Sequence, residues 1–373
     1  MVDKPAVVDA YKVEGKVDYD QFARTYGLKL IDGELEKRIE KYAGPLHFLL
    51  KRRIYYAQRE MGWLLDEYEK GNKFYIYTGR APSHEMHVGH LLPFVMAKWL
   101  QDKFRAEVYI QIPDEEKFLA KDAPEPDAMK SLAMDNVLDI IALGFKPGLT
   151  KVFLDTEYAK TMYKQAVRVS KHITFSTMQA AFGFGNDSNI GKIFYTSMQA
   201  VPAFLKSVQE GKNVPCLIPL AIDQDVHFRV ARDVIGKLGY YKPASIYTKF
   251  LPSLDGLAKM SSSDPIGAVY LNDDPETVKK KIGKAFTGQQ ATAELQRKHG
   301  GDPDKCVVCQ YYRYFFEPND AKLKKILDGE RSGTLLAGEH KAHLAEAINA
   351  FLKAHRAKRE RAREKLDKFM MRD

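Results

Sequence analysis

The chain has 373 residues, 45% of them hydrophobic and 29% charged, with a formal net charge of +9. That length exceeds one ordinary core, so two packed domains are expected, and no apolar run approaches the ~18 residues of a membrane span. Three cysteines argue against a disulfide scaffold and for a reducing compartment, the start Met1-Val2-Asp3-Lys4-Pro5 lacks a secretory pattern, and the positive field favours polyanionic partners.

Residues 1–71 read as an N-terminal appendage, with mixed apolar and charged residues over 19–30 and helical periodicity over 34–69. Phe74-Tyr75-Ile76-Tyr77 reads as a strand that breaks at Thr78-Gly79-Arg80-Ala81-Pro82. Leu91, Phe94, Val95, Lys98 and Trp99 then recur at helical spacing, and Val108-Tyr109-Ile110-Gln111-Ile112 gives a second strand ended by Pro113. Strand, loop, helix and strand make a βαβ unit. Residues 114–213 are mainly helical, with one strand at 151–154. A buried-type strand, Cys216-Leu217-Ile218-Pro219-Leu220-Ala221-Ile222, runs into Asp223-Gln224-Asp225 and a helix over 226–238. The fold class is therefore α/β: a Rossmann-like parallel sheet over 72–272 interrupted by a helical insertion at about 114–213, followed by an all-α C-terminal domain over 273–373.

Two segments carry chemistry. At the first strand-to-helix turn stands His87-Val88-Gly89-His90, the pattern H-x-G-H. Residues three apart share a face of the first helical turn, the helix N-terminus favours phosphate, and a glycine leaves room for a flat ring against the backbone. Far along the chain, after the last sheet element, comes Ala258-Lys259-Met260-Ser261-Ser262-Ser263, a polar loop with one cation able to neutralise charge on a leaving pyrophosphate. Either segment alone is ordinary surface. In this order, on a split βαβ scaffold, the pair is specific.

These segments resemble the two signature sequences of class I aminoacyl-tRNA synthetases, and residues 77–90, 183–204 and 221–228 resemble the tryptophanyl-tRNA synthetase family of archaeal and eukaryotic type. The likeness runs from about Tyr19 to the last residues. One departure is Ser262, where the class pattern has a second lysine. The resemblance implies activation of L-tryptophan by ATP, accompanied by Mg²⁺, and transfer to tRNA(Trp), in a cytoplasmic homodimer whose helical domain meets the anticodon. It assigns His87, His90 and Lys259 to catalysis and phosphate contact. Gly89 then faces the adenosine, Arg80, Met260, Ser261 and Ser263 complete the ATP contacts, and Tyr77, Gly79, Gln111, Glu116, Gln199 and Gln224 bind tryptophan. Tyrosyl relatives read the phenol with an aspartate on a Y-x-x-x-Q-x-x-D helix. Here Tyr195 and Gln199 are followed by Pro202, which cannot play that part. Indole offers one N–H donor and no acceptor, which suits Tyr77 and Gln111.

Other signals are set aside. Gly185-Asn186-Asp187-Ser188-Asn189-Ile190-Gly191-Lys192 is one residue too long for a P-loop. Cys306-Val307-Val308-Cys309 has metal-ligand spacing, but zinc needs a second pair; Cys216 lies on the sheet and His299 is the nearest candidate, so structural or incidental cysteines, or a local disulfide, are preferred and no metal site is assigned. His84 near His87 and His90 lacks a thiolate or acidic partner, and His340 and His343 read as solvated helix-start residues. The basic run Lys353, Arg356, Lys358, Arg359, Arg361, Arg363, Lys365 and Lys368 is either a solvated helix face or a tRNA contact. A small-molecule adenylyltransferase would share H-x-G-H but lack the lysine loop, and an inactive RNA-binding paralogue would not need His87, Gly89, His90 and Lys259 intact.

Overall fold

The computed structural model describes residues 17–120, 124–257, 259–261 and 264–373, and the backbone of two short paired strands, β1 (Val7–Val8) and β2 (Val13–Glu14). Ser262 and Ser263 fall outside the described residues, as do most of residues 1–16. The centre is a seven-stranded sheet built from β3 (Lys29–Leu30), β4 (Tyr55–Arg59), β5 (Tyr75–Gly79), β6 (Val108–Ile112), β7 (Thr150–Leu154), β8 (Cys216–Ala221) and β9 (Ala244–Thr248). Its spatial order is β3-β4-β9-β8-β5-β6-β7. The last five in sequence run parallel, while β3 and β4 are antiparallel additions at one edge.

Period-two alternation sorts the strand residues to two faces. Ile76, Val108, Ile110, Val152, Leu154, Leu217 and Ile246 share one apolar cluster with Leu91–Phe104, the helix after β5, and with helices beyond residue 273. Tyr75, Tyr77, Tyr109, Phe153, Cys216, Ile218 and Tyr247 point the other way, among the helices Ala159–Ser170, Ile190–Ala200 and Asp225–Lys237. Both faces are covered, which is why these strands read as continuous apolar runs.

Four of the five parallel strands, β5 to β8, fall where the sequence places them, within two residues. β3, β4 and β9 do not follow from it. The helical periodicity over 34–69 covers Tyr55–Arg59, yet this segment is a strand flanked by the helices Phe48–Lys51 and Met61–Glu69. Its register on β9 is set by tertiary pairing, Gln58 opposite Ile246 and Arg59 opposite Ser245, which no local periodicity reveals. The segment ahead of Gly71 therefore contributes to the central sheet instead of standing apart from it. β9 itself is only five residues of mixed polarity.

Beyond residue 273 the chain is helical, from Pro275–Gly283 to the 27-residue helix Ala337–Arg363. Leu344, Ile348 and Leu352 on that last helix are fully buried, the stripe its spacing predicts. The helices share a continuous apolar cluster with the sheet.

Candidate active site

Chain order fixes where a ligand can enter. From β5 the chain moves outward through β6 and β7, then crosses back through four helices, Ala159–Ser170, Phe175–Phe182, Ile190–Ala200 and Pro202–Glu210, to place β8 on the other side of β5. The crossover directions diverge between β5 and β8, and a crevice opens at the carboxyl ends of such strands. Here it is a cleft of about 730 Å³. Tyr77, Gly79, Arg80, His87, Gly89, His90, Gln111, Glu116, Gln199, Gln224, Lys259, Met260 and Ser261 all line it. Segments nearly two hundred residues apart in sequence thus meet; only Ser263, of the residues singled out, lies outside the described residues.

The turn after β5 begins with a steric demand. A Cβ on Gly79 would stand 2.6 Å from the Gln111 carbonyl oxygen, so only glycine lets β5 and β6 close at this level. Arg80 follows, buried, its guanidinium donating to Asn136, to the Ala81 carbonyl at 3.0 Å and to the His84 carbonyl at 3.3 Å. Burial lowers its pKa to about 10. It ties down the loop that carries the histidines.

His87 and His90 stack with ring centroids 3.5 Å apart and planes inclined by 17°. A short 3-10 turn, Val88–His90, leads into the helix Leu91–Phe104 and sets their spacing. The His87 backbone N–H donates to His90 Nδ1 at 3.2 Å, and an Arg80 guanidinium nitrogen lies 3.4 Å from the same atom. Two donors aimed at Nδ1 leave the proton on Nε2. Burial, then the charges of Arg80 and Lys259, lower the His87 pKa to about 3, and the same burial with Arg80 foremost holds His90 well below its ordinary value. Both rings are therefore neutral hydrogen-bond donors at physiological pH. Gly89 lies between the His87 ring and Met260: an added Cβ would meet His87 atoms at 3.2 Å and Met260 Cβ at 3.7 Å.

Lys259 extends over the cleft with its Nζ 2.5 Å from Asp223 Oδ2 and 5.0 Å above the Phe250 ring. The lysine is 40% exposed and the aspartate 4%, so the cation sits at the mouth and its partner in the floor.

Deeper in, Tyr77 Oη donates a short hydrogen bond to Gln111 Oε1, and the Gln199 carbonyl is 3.1 Å away. Gln111 Nε2 donates onward to Asp155 Oδ2 at 2.6 Å. Register explains the set: Tyr77 pairs with Tyr109 and Gln111 with Phe153, so Tyr77, Gln111 and Asp155 project to one face of three adjacent strands. Tyr195 Oη donates to Glu116 at 3.2 Å, while Gln199 Oε1 is buried without a hydrogen-bond partner among the described residues. Burial, and then Glu115, raise the Asp155 pKa well above a carboxylate's usual range; burial, with Asp114 and Glu116 adding to it, raises Glu115 to about 7.

Asp155 and the ion-pairing part of Asp223 were missed in the sequence. A signal existed: Asp114, Asp155 and Asp223 each follow a parallel strand within two residues, at the sheet edge where such folds bind ligands. Nothing in the spacing alone separates them from ordinary loop aspartates. His340 corrects a sequence reading outright. It is fully buried, not solvated, because the first turn of Ala337–Arg363 faces Tyr312, whose ring stacks on it at 5.2 Å.

A doubly covered parallel sheet, a switch-point cleft, a stacked H-x-G-H turn and an opposing lysine loop are the marks of the class I aminoacyl-tRNA synthetases, which activate an amino acid with ATP. The sequence model for the family described as "tRNA synthetases class I (W and Y)" matches residues 69–353, and the chain belongs to that family. It is 47% identical over 365 residues to the tryptophan–tRNA ligase of Sulfolobus acidocaldarius, covering 97% of this chain and 94% of that protein. Among solved structures it is similar to the tryptophanyl-tRNA synthetase of Giardia lamblia, with TM-score 0.88, 35% identity and coverage of 95% and 96% of the two chains. The tryptophanyl-tRNA synthetase of the archaeon Aeropyrum pernix gives TM-score 0.88 at 30% identity, with 95% and 97% covered.

Proposed function

We propose that this chain is a tryptophan–tRNA ligase (EC 6.1.1.2), joining L-tryptophan to ATP as tryptophanyl-adenylate and passing it to tRNA(Trp), with AMP and diphosphate released. The observation that carries the reading is the convergence of the His87–His90 stack, Lys259 and the Tyr77–Gln111 pair on one cleft.

The tryptophan carboxylate attacks the α-phosphorus of ATP, and diphosphate leaves. No side chain needs to become covalent; alignment and stabilisation of phosphate charge supply the rate. His90, with its proton on Nε2, and neutral His87 donate to phosphate oxygens, and Gly89 admits the adenosine against the backbone. Lys259, with Met260, Ser261 and Ser263, attends the leaving diphosphate, and Arg80 keeps the histidine turn in place. Leaving Asp223 for phosphate lets the lysine act where charge develops.

The indole N–H meets Tyr77 Oη, whose own proton is committed to Gln111, so the phenol oxygen is free to accept. Gly79 clears space beside Gln111. Gln199, with its unpartnered Oε1, and Gln224 receive the α-ammonium group, and Glu116 reinforces that end. In the second step the terminal ribose hydroxyl of tRNA attacks the adenylate carbonyl. Mg²⁺ accompanies ATP as phosphate counter-ion, with no protein ligand set assigned to it. A homodimer is supported by exposed apolar side chains on neighbouring helices, among them Tyr163 at 59% and Ile190 at 83% exposure. Action in the cytoplasm is a reading supported by a tRNA substrate and by the free thiols. No helix among the described residues is long and apolar enough to cross a membrane.

The test is ATP–pyrophosphate exchange with tryptophan, with tyrosine and with no amino acid. Exchange only with tryptophan is expected; exchange with tyrosine instead overturns the assignment. Lys259→Ala should cut the tryptophan-dependent rate by about 10²–10³-fold, since a preorganised charge acts chiefly in the transition state. A rate within about twofold of wild type removes Lys259 from the mechanism.

A further inference from the structure

Outside the residues that line the cleft, a second cluster of chemically capable side chains is assembled in the helical region. Cys306 and Cys309 flank the first turn of the short helix Val307–Tyr311, Glu330 lies in the helix Asp320–Ser332, and His340 in the first turn of Ala337–Arg363. One donor atom from each of the four lies within 4.8 Å of every other, and all four residues are buried. Both thiols are free.

The arrangement is hard to explain as packing. Glu330 and His340 are 0% exposed, yet neither carboxylate oxygen and neither ring nitrogen has a well-directed hydrogen bond. His340 Nδ1 comes within 2.6 Å of Glu330 Oε2, an ion-pair approach without the direction of a hydrogen bond. Burying a carboxylate and an imidazole beside two thiols is costly unless something coordinates them. A four-coordinate metal meets that need. With metal–sulfur bonds of about 2.3 Å and metal–nitrogen or –oxygen bonds of about 2.0–2.2 Å, tetrahedral donors stand roughly 3.3–3.8 Å apart, a small contraction from the observed spread.

We propose that Cys306, Cys309, Glu330 and His340 form a structural, four-coordinate site for a divalent metal of the zinc type, pinning three helical segments together. Two sulfur donors disfavour Mg²⁺ and Ca²⁺, which take oxygen, and a sulfur–nitrogen set in tetrahedral array favours Zn²⁺. Two thiolates and a carboxylate around a dication leave one net negative charge, which the charges of Lys341 on Cys306 and Arg313 on Cys309 offset. The ring of Tyr312, stacked on His340 with planes 5° apart, holds the imidazole in orientation. Four protein donors fill the shell, so no open position remains and the role is structural. The C-x-x-C half was visible in the sequence. The other half was not, because a glutamate and a histidine ten residues apart on two successive helices match no ligand-spacing pattern.

The test begins with the full-length wild-type protein purified under reducing, chelator-free conditions from zinc-supplemented cells. Elemental analysis should give about one zinc per chain, and blocking the thiols with a mercurial should release it to a colorimetric dye. Exchange of the metal for Co²⁺ should give the ligand-field bands of four-coordinate cobalt and a thiolate-to-cobalt charge-transfer band. Glu330→Gln should shift the ligand-field bands while keeping the charge-transfer band, and Cys309→Ser should weaken that band by about half or lose the metal. Should either variant fail to fold, the wild-type measurements decide alone. Less than about a tenth of a metal per chain, with no charge-transfer band on adding Co²⁺ to the reduced protein, overturns the proposal. Recovery of Cys306 and Cys309 as a disulfide from reducing conditions does the same.

Discussion

Tyr77, Gln111 and Asp155 form a directed chain in which each proton is spoken for: phenol to amide oxygen, amide nitrogen to carboxyl. The direction makes the two pocket residues act in series, with Tyr77 meeting the indole and Gln111 fixing Tyr77. Tyr77→Phe removes the acceptor and should lower kcat/KM for tryptophan by roughly 5–150-fold, the cost of leaving a buried donor unpaired, about 1–3 kcal/mol. Gln111→Leu should cost less, because the Gln199 carbonyl still holds the phenol, and the double variant should match Tyr77→Phe alone instead of summing the two. An analogue with carbon in place of the indole nitrogen should be indifferent to all three; equal losses for both ligands would mean that the residues shape the pocket without reading the N–H. Glu115 gives a pH signature. Its pKa rises from about 4.5 to about 7 on folding, so over that interval the folded chain binds more protons than the unfolded one and stability falls as pH rises, levelling off above about pH 7. Glu115→Gln should flatten this part of the curve when urea midpoints are compared at pH 5 and pH 8; an unchanged slope would show that Glu115 ionises freely. Of this network, Tyr77 and Gln111 were legible through the resemblance. Asp155 and Glu115 were not, since their pKa values arise from burial that only the assembled fold creates.

The long helix Ala337–Arg363 separates two kinds of arginine that look alike in sequence. Arg359 donates to Asp135 at 2.7 Å and pairs with Asp139 at 3.1 Å, both on the helix Pro126–Ile141, while His355 reaches Asp139 at 3.2 Å. It is a structural tie between the helical region and the catalytic half. Arg361 and Arg363 are exposed and, among the described residues, bonded only within their own helix, Arg361 to the Ala357 carbonyl and Arg363 to Glu360 at 3.6 Å. Neutralising Arg361 and Arg363 should weaken tRNA binding and make its salt dependence shallower, by about 0.7–0.9 in log–log slope per lost phosphate contact. Neutralising Arg359 alone should leave that slope unchanged and lower the denaturation midpoint. Filter binding across a salt series and urea titration separate the two, and a slope change from Arg359 alone would reverse the assignment. Periodicity showed this helix, its buried stripe and its basic face, but not which basic residues are occupied, because Asp135 and Asp139 lie more than two hundred residues away. The same limit hid Tyr55–Arg59, whose identity as a strand depends on a partner at residues 244–248.

At the scale of the whole molecule, the helical region and the sheet are one packed body. Their shared cluster runs from Ile31 through Ile110 to Phe369, and Arg52, at the end of the helix Phe48–Lys51, bonds Asp320 at 2.8 Å and joins that helix to the late ones. The succession of elements in the sequence puts boundaries near 71 and 272; the apolar contacts run across both. The sheet is also finished at its β7 edge by residues from far along the chain. The Val152 N–H donates to the Phe369 carbonyl at 2.8 Å, the Met371 N–H returns the bond to the Val152 carbonyl at 2.7 Å, and Asp373 accepts from Thr161 at 2.9 Å. A sheet margin with unpaired N–H and C=O groups is a template for joining another sheet. Phe369 to Asp373 thus act as a selvedge, a woven border that keeps the fabric from catching on its neighbours. Ending the chain after Lys368 should leave the cleft intact yet make the protein self-associate: light scattering should rise with concentration while tryptophan-dependent exchange per folded chain holds within about twofold. A truncated chain that stays as dispersed as the full one would show that β7 needs no border. Any change that lifts Phe369–Asp373 away from β7 is, for the same reason, a change in colloidal behaviour.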